Sequence, residues 1–407
     1  MTEQRSIPRV APRAYDYVRE VLDFGFHNAH SPGITGRLES EFAARMGCRH
    51  GLAHCNGTAT LQTALMAAGV GVGDEVIVPA FTVFSTPAVA FQINAIPVVA
   101  DVDPETWTLD VEDVKRKLTS QTKALIPVSI AGLMADMDPL MALAAEHGIT
   151  VIEDNAQGYL CTYKGRVSGS IGHLSSFSFQ ASKTLTCGDG GILITDDDDL
   201  ALAARKACTL GFKDLSVRPG DTVVSEELRC QPSYQRHDRL GWNQRLPEIA
   251  CAVALAELER LDDLVRMRVA SAQLFREVVA GCDWLCEQVV PPDQTHTYWT
   301  YPVRILRDDI DWRQFQRAFL EFGGDGFYGA YQPAHLEPVF ANLRAAVEAS
   351  PERYPQWAGR LPHYGLGTCP FWESVQPRIV QLKTNYFELD QAAEQARVFA
   401  KTVERFS

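Results

Sequence analysis

The chain is 407 residues long, 46% hydrophobic and 22% charged, an ordinary composition for a folded protein with material for a sizeable core. A formal net charge of −13 gives no electrostatic reason to bind a nucleic-acid backbone, and no window reaches the ~18 uninterrupted apolar residues of a membrane span. The ten cysteines are scattered singly with no C-x-x-C pair, which indicates neither a zinc site nor a disulfide framework and fits a cytoplasmic chain with free thiols.

Met1–Pro12 carries charges and two prolines but no apolar h-region, so no signal peptide is expected there. Between about residues 50 and 195, short β-rich runs alternate with helical patterns. Strands are predicted at Val76–Pro79, Val98–Val102, Ala124–Val128, Thr150–Glu153, Ser175–Phe179 and Gly191–Thr195, and helices at Thr60–Ala68, Val111–Leu118 and Met137–Glu146. Several of these strands are apolar without alternation, as expected when both faces are covered, so the fold class is α/β with a mostly parallel central sheet flanked by helices. Asp196–Asp199 reads as a solvated turn with no His or Glu cluster beside it, and no metal site is expected. Lys213–Asp238 reads as a long polar loop, a length that in a compact domain is usually functional or mobile. A single long helix is predicted over Pro247–Val279, with Pro247 in its first turn and Gly281 after its end. A strand at Tyr298–Leu306 and helices at Trp312–Phe322 and Gln391–Val403 follow. Residues 1–255 are therefore expected to form a large α/β domain with an N-terminal arm, and 256–407 a smaller α+β domain.

Three stretches carry chemistry. In Ser178-Phe179-Gln180-Ala181-Ser182-Lys183, a β-run ends in a polar turn bearing one lysine, before Gly188-Asp189-Gly190-Gly191 enters another strand. A lysine held at a strand edge and partly desolvated loses proton affinity, and its neutral amine can then attack a carbonyl. The three glycines are expected to bring backbone close to a ligand. In Glu153-Asp154-Asn155-Ala156-Gln157 an apolar strand ends in carboxylates, where ligands of open parallel sheets bind. A carboxylate there can keep a pyridinium nitrogen protonated, making a pyridoxal phosphate ring an electron sink. In Asn56-Gly57-Thr58-Ala59 small residues open a helical pattern whose free N–H groups suit a phosphate. Each stretch alone has a plainer reading: a surface lysine, a capping Asp, an N-cap. Their joint occurrence in this order is what counts.

Together with Gly73–Pro79 and Gly241-Trp242-Asn243-Gln244-Arg245, these stretches make the region from about Gly33 to Leu261 resemble the DegT/DnrJ/EryC1/StrS family of sugar and cyclitol aminotransferases, of the aspartate-aminotransferase fold (fold type I). The resemblance implies pyridoxal 5′-phosphate (PLP) as cofactor, with pyridoxamine 5′-phosphate as its intermediate form. It implies Lys183 as the Schiff-base lysine and proton carrier, Asp154 at the pyridine nitrogen, and Gln157 against the ring or its phenolic oxygen. Gly57, Thr58, Ala59 and Ser178 would hold the phosphate. Asn243 would reach the phosphate of a neighbouring subunit, making an obligate homodimer with shared sites. The substrates implied are an amino donor, glutamate or glutamine, and a keto-sugar or keto-cyclitol. Plainer readings stand beside these roles: Arg245 as a donor to backbone carbonyls near the long helix, Gln180 as a packing residue, and Cys187 as a packing residue.

The chain departs from the family in two places. Val83 stands where an aromatic usually stacks on the ring, leaving Phe84, Phe81 or an aliphatic contact for that role. The aromatic–Pro–His segment survives only loosely in Gly326-Phe327-Tyr328-Gly329-Ala330-Tyr331-Gln332-Pro333-Ala334-His335-Leu336. Lys183 argues against the family's dehydratase branch, which carries histidine there. An aromatising synthase resembling 3-amino-5-hydroxybenzoate synthase and a non-catalytic partner subunit are the competing expectations. Arg218, Arg236, Arg239 and Lys213 in the long loop are candidates for a nucleotide diphosphate.

Overall fold

The computed structural model describes residues 6–24, 26, 33–218 and 222–407. Met1–Arg5 and, within the long loop, Pro219–Asp221 lie outside the described residues.

The centre is a seven-stranded sheet in the order His50–His54, Gly191–Thr195, Leu174–Ser178, Thr150–Asp154, Thr122–Leu125, Glu75–Pro79, Ile96–Ala100. Gly191–Thr195 pairs antiparallel with both its neighbours, and the other six strands run the same way. Their carboxyl ends therefore open along one edge. Both faces are covered, which explains the unalternating strands: Val76 and Val78 join one apolar cluster, while Ile77 between them joins another with Leu125 and Val151.

Local chemistry sets the helix ends. Asn56 caps Gly57–Ala67 by accepting from the Ala59 N–H at 2.8 Å, and Asp110 caps Val111–Lys117. Gly148 ends Met137–His147 in the left-handed region at φ 65°. The Asp196–Asp199 run is not a free turn. Asp197 caps a helix, Asp198–Cys208, by accepting from the Leu200 N–H, and Asp198 and Asp199 sit in its first turn, where the helix dipole favours negative charge.

The long helix is two helices, Glu248–Leu258 and Leu261–Val279, broken at Glu259–Arg260. Each half answers to a different core, which a continuous apolar stripe does not reveal. The first packs on the N-terminal helices Arg13–Phe24 and Gly33–Arg45, the second on Leu389–Phe406. A second sheet, antiparallel in the order Leu285–Glu287, Thr300–Ile305, Ile379–Lys383, Tyr328–Gly329, forms the smaller layer. Helix Trp312–Glu321, opened by an Asp311/Gln314 capping box, packs there. The C-terminal portion is not one packing unit. Ala330, Phe340, Tyr364, Trp372 and Val375 bury themselves in the cluster over the large sheet, Trp372 stacked on Phe81 at 4.1 Å. The long loop contains one helical turn, Glu226–Arg229.

Among the described residues no helix is long and apolar enough to cross a membrane, and no group of three or more His, Cys, Asp or Glu is placed to hold a metal ion.

Candidate active site

The edge where the strands end gathers residues distant in sequence. Gly57 follows strand His50–His54, Thr86 follows Glu75–Pro79, Asp154 ends Thr150–Asp154 and Ser178 ends Leu174–Ser178. Lys183 lies in the turn after Ser178, its N–H bonded to the Gln180 carbonyl.

Asp154 is 5% exposed. One carboxylate oxygen accepts from the Thr86 hydroxyl at 2.9 Å and the other from the Ala156 N–H at 3.1 Å. Burial raises its proton affinity, opposed by those two hydrogen bonds and by the charge of Lys183. Lys183 shows the complementary effect: burial pushes its amine down to about 8, Asp154 pulls it back up, and Arg268 pushes it further down. The Lys183 Nζ stands over the Trp299 ring at 4.5 Å, and the indole N–H donates to the Ser182 carbonyl at 2.9 Å. The platform is pinned from below. The Gln157 side-chain amide oxygen (Oε1) accepts from the Ala131 backbone N–H at 2.7 Å, and the Ala131 carbonyl accepts from the Trp299 backbone N–H at 2.7 Å.

The phosphate cradle passes a steric test. A Cβ on Gly57 would stand 2.7 Å from the Ser178 Cβ and 3.1 Å from its Oγ, so only glycine lets the helix N-terminus approach that strand end. The Gly57 and Thr58 N–H groups precede the first intrahelical acceptors and point outward from the helix start. These residues and the buried Asp154 fit a group with a phosphate at one end and a basic ring nitrogen at the other. The Ala59 N–H is already taken by the Asn56 side chain, which leaves the N–H groups of Gly57 and Thr58 as the free donors of this turn. Gly190 and Gly191 serve protein packing rather than a ligand: a Cβ on Gly191 would meet the Phe177 carbonyl at 2.7 Å and the Asn56 backbone at 2.9 Å.

Of the aromatic candidates, Phe81 is buried and stacked on Trp372. Phe84 is 38% exposed with its ring edge toward Phe340, and Val83 is half-buried. Gln180 is exposed, and its side-chain oxygen accepts from the Ser182 N–H and hydroxyl, holding the lysine turn. Cys187 donates to the Asp189 carbonyl, and burial pushes its thiol up to about 12, as suits a packing residue. Arg245 is exposed and its backbone bridges His54, while Gln244 hydrogen-bonds Thr63 and Gln62 on the cradle helix. Asn243, exposed, stands on this docked segment. His335 is buried inside, hydrogen-bonded to Glu373 at 2.8 Å. Sequence reasoning passed over Thr86, Arg268 and Trp299. Arg268 and Trp299 look like ordinary helix and strand residues until their burial and partners are known, and Thr86 like an ordinary helix-start residue.

A desolvated lysine near a buried carboxylate at the carboxyl edge of a mostly parallel sheet, with a glycine-opened helix start at the same edge, is the arrangement of a PLP-fold protein. A family model, the DegT/DnrJ/EryC1/StrS aminotransferase family, matches residues 9–365. GDP-perosamine synthase of Caulobacter vibrioides is 33% identical over 340 residues, 83% of this chain and 86% of that protein. L-glutamine:2-deoxy-scyllo-inosose aminotransferase of Micromonospora echinospora is 36% identical over 344 residues, 82% and 80% of the two chains. The X-ray structure of an aminotransferase from Psychrobacter cryohalolentis superposes with a TM-score of 0.83 at 26% identity, covering 98% of this chain and 97% of that one. The chain belongs to the DegT/DnrJ/EryC1/StrS family and is an aminotransferase.

Proposed function

We propose that this aminotransferase uses PLP, held by Gly57, Thr58, Ser178 and Asp154 with Lys183 as its Schiff-base lysine, to move an amino group from glutamine or glutamate to a keto-cyclitol or keto-sugar. The observation that carries the reading is a desolvated Lys183 beside a buried Asp154 at the strand ends. When bound, PLP supplies an electron sink that stabilises negative charge at the carbon bearing the amine. The chain's residues do the rest. The Gly57 and Thr58 N–H groups and the Ser178 hydroxyl would bind the phosphate, and the Asp154 carboxylate would accept a hydrogen bond from the ring N–H, orienting the ring and keeping its nitrogen protonated. Gln157, tied to Ala131, holds the ring's flank. The Lys183 amine would take the proton from the donor's α-carbon and release it to a second carbon, that of the cofactor, on the same face, and the Trp299 indole would limit the swing of Nζ.

Two finer points extend the reading. Leu240 is 92% exposed and Trp242 52%, with Leu210 and Ile249 exposed nearby in sequence or contact, an apolar surface flanking Asn243. This supports a homodimer in which Asn243 reaches the partner's phosphate. Of the four loop cations that are candidates for a diphosphate, three are engaged at home: Lys213 with Asp214, Arg239 with Asp238, and Arg236 with the Arg229 and Tyr234 carbonyls, while the exposed Arg218 bonds Ser216 only through its backbone. The engagement of these three favours a cyclitol acceptor without a diphosphate. Ten free thiols support a cytoplasmic location.

The test is the absorbance spectrum of the protein with PLP, before and after L-glutamine or L-glutamate, repeated with Lys183→Ala. A visible lysine–cofactor band that the donor bleaches, absent in the variant, is the expected result. Product analysis with and without donor separates amino transfer from an aromatising synthase. A protein that never develops the band sinks the proposal.

A further inference from the structure

The segment Gly241–Arg245 alternates between solvent and interior. Gln244 is 8% exposed, while Trp242, Asn243 and Arg245 around it are exposed. The main chain is docked at the end of helix Asp198–Cys208: the Trp242 N–H donates to the Ala207 carbonyl at 2.7 Å, and the Gln244 N–H to the Cys208 carbonyl at 3.1 Å. Gln244 also grips the phosphate cradle at two points. Its carbonyl accepts from the Cys55 N–H at 2.8 Å, immediately before the cap residue Asn56. Its side-chain oxygen accepts from the Thr63 hydroxyl at 2.6 Å, and its side-chain N–H donates to the Gln62 side-chain oxygen, both on the cradle helix Gly57–Ala67. Thr63 and Gln62 are buried, so the polar atoms facing Gln244 are shielded from water and depend on its amide. The cradle has little slack, since a methyl on Gly57 would stand 2.7 Å from the Ser178 Cβ. A clamp on both sides of the helix start therefore bears on where its N–H groups stand.

We propose that Gln244 is a positioning residue that joins two faces of the molecule. Inward, it sets the cradle helix for the cofactor's phosphate. Outward, it holds Leu240, Trp242 and Asn243, an apolar surface with Leu240 92% exposed, for a second copy of this chain. Phosphate binding and dimer formation are then linked, because both require one arrangement of the same segment. By reciprocity each strengthens the other by the same factor. The inference rests on the PLP and homodimer readings above.

The test follows subunit exchange in the full-length chain. Light-isotope and heavy-isotope samples are mixed, and hybrid dimers are counted over time by native mass spectrometry. Each sample is saturated with PLP or with pyridoxal, which carries the same aldehyde and ring but no phosphate. In the unaltered protein PLP is expected to slow exchange roughly tenfold more than pyridoxal does. In Gln244→Met, of similar length but without the amide, that gap is expected to shrink below about threefold. Thr63→Val removes one of the two side-chain bonds and is expected to give an intermediate gap. A Gln244 that only stabilises the fold would lower the melting temperature and leave the gap between PLP and pyridoxal unchanged, and that result overturns the proposal. So does an unaltered dimer that shows no gap. If Gln244→Met does not fold, Thr63→Val decides by the same criterion. A chain that is monomeric at every concentration overturns the homodimer reading instead, and one that forms no visible band with PLP overturns the cofactor reading.

Discussion

The proton affinity of Lys183 can be read directly from the rate at which it captures PLP. Attack on the aldehyde needs the neutral amine. A solvated lysine near 10.4 is neutral at pH 7 in roughly one molecule in 2,500, whereas one held at about 8 is neutral in about one in ten. Burial therefore raises the reactive fraction by roughly 200-fold at pH 7. Mixing cofactor-free protein with PLP in a stopped-flow spectrometer between pH 6 and 10 measures this through growth of the visible band. The rate constant is expected to climb tenfold per pH unit and to level off near pH 8. Two variants give signs. Asp154 raises the proton affinity of Lys183, so Asp154→Asn moves the midpoint down; Arg268 lowers it, so Arg268→Met moves it up. The same shift has a stability consequence. The folded value lies below the unfolded one, so the cost of burying the charged amine is fully present below about pH 8 and is relieved as pH rises toward the unfolded value. A capture rate that keeps rising through pH 10 would refute the argument, because it would show a lysine solvated like any surface residue.

Gly57→Ala forces a methyl to within 2.7 Å of the Ser178 Cβ, so the cradle must open. A loss of about 1–3 kcal/mol is expected, seen as weaker PLP retention on dialysis at an otherwise native circular dichroism spectrum. Asp154→Asn removes the charge partner of the ring nitrogen and is expected to slow the donor half-reaction roughly 100-fold in single-turnover spectroscopy while the visible band still forms. Trp372→Ala empties the stack on Phe81 in the core over the large sheet and is expected to cost about 3–5 kcal/mol by urea denaturation, with little effect on the spectrum of the bound cofactor. Leu240→Glu places a charge on the most exposed apolar side chain beside Asn243, so sedimentation is expected to show a shift from dimer to monomer and cofactor retention to fall with it.

Much of the candidate site lies in contiguous motifs, because each serves one local need. A helix start must offer N–H groups, a strand end must present Asp154, and a turn must hold Lys183 at the edge. Gly57-Thr58, Glu153–Gln157 and Ser178–Lys183 each do this within a few residues, so order and residue type were enough to read them. The alternation of short apolar strands with helical stripes likewise pointed to a parallel sheet before any contact was known. Strand His50–His54, a short run poor in β-branched residues, was passed over. The helix break at Glu259–Arg260 was hidden because both halves carry apolar residues at helical spacing.

Only the tertiary structure decided what surrounds the lysine. Trp299 meets Ser182 across 117 residues, Arg268 meets it across 86, and Thr86 meets Asp154 across 68. Nothing local in a helix interior or a strand start marks such residues, since their roles arise from burial and from partners supplied by other elements. The same holds for the fate of Phe81, spent on Trp372 rather than left for a ring, and for Gly190 and Gly191, which make room for the Cys187 side chain and for the Phe177 and Asn56 backbone. Sequence order carries the groups whose chemistry is local. The proton affinities that make them reactive come from desolvation and neighbouring charge, and those exist only once the chain has folded.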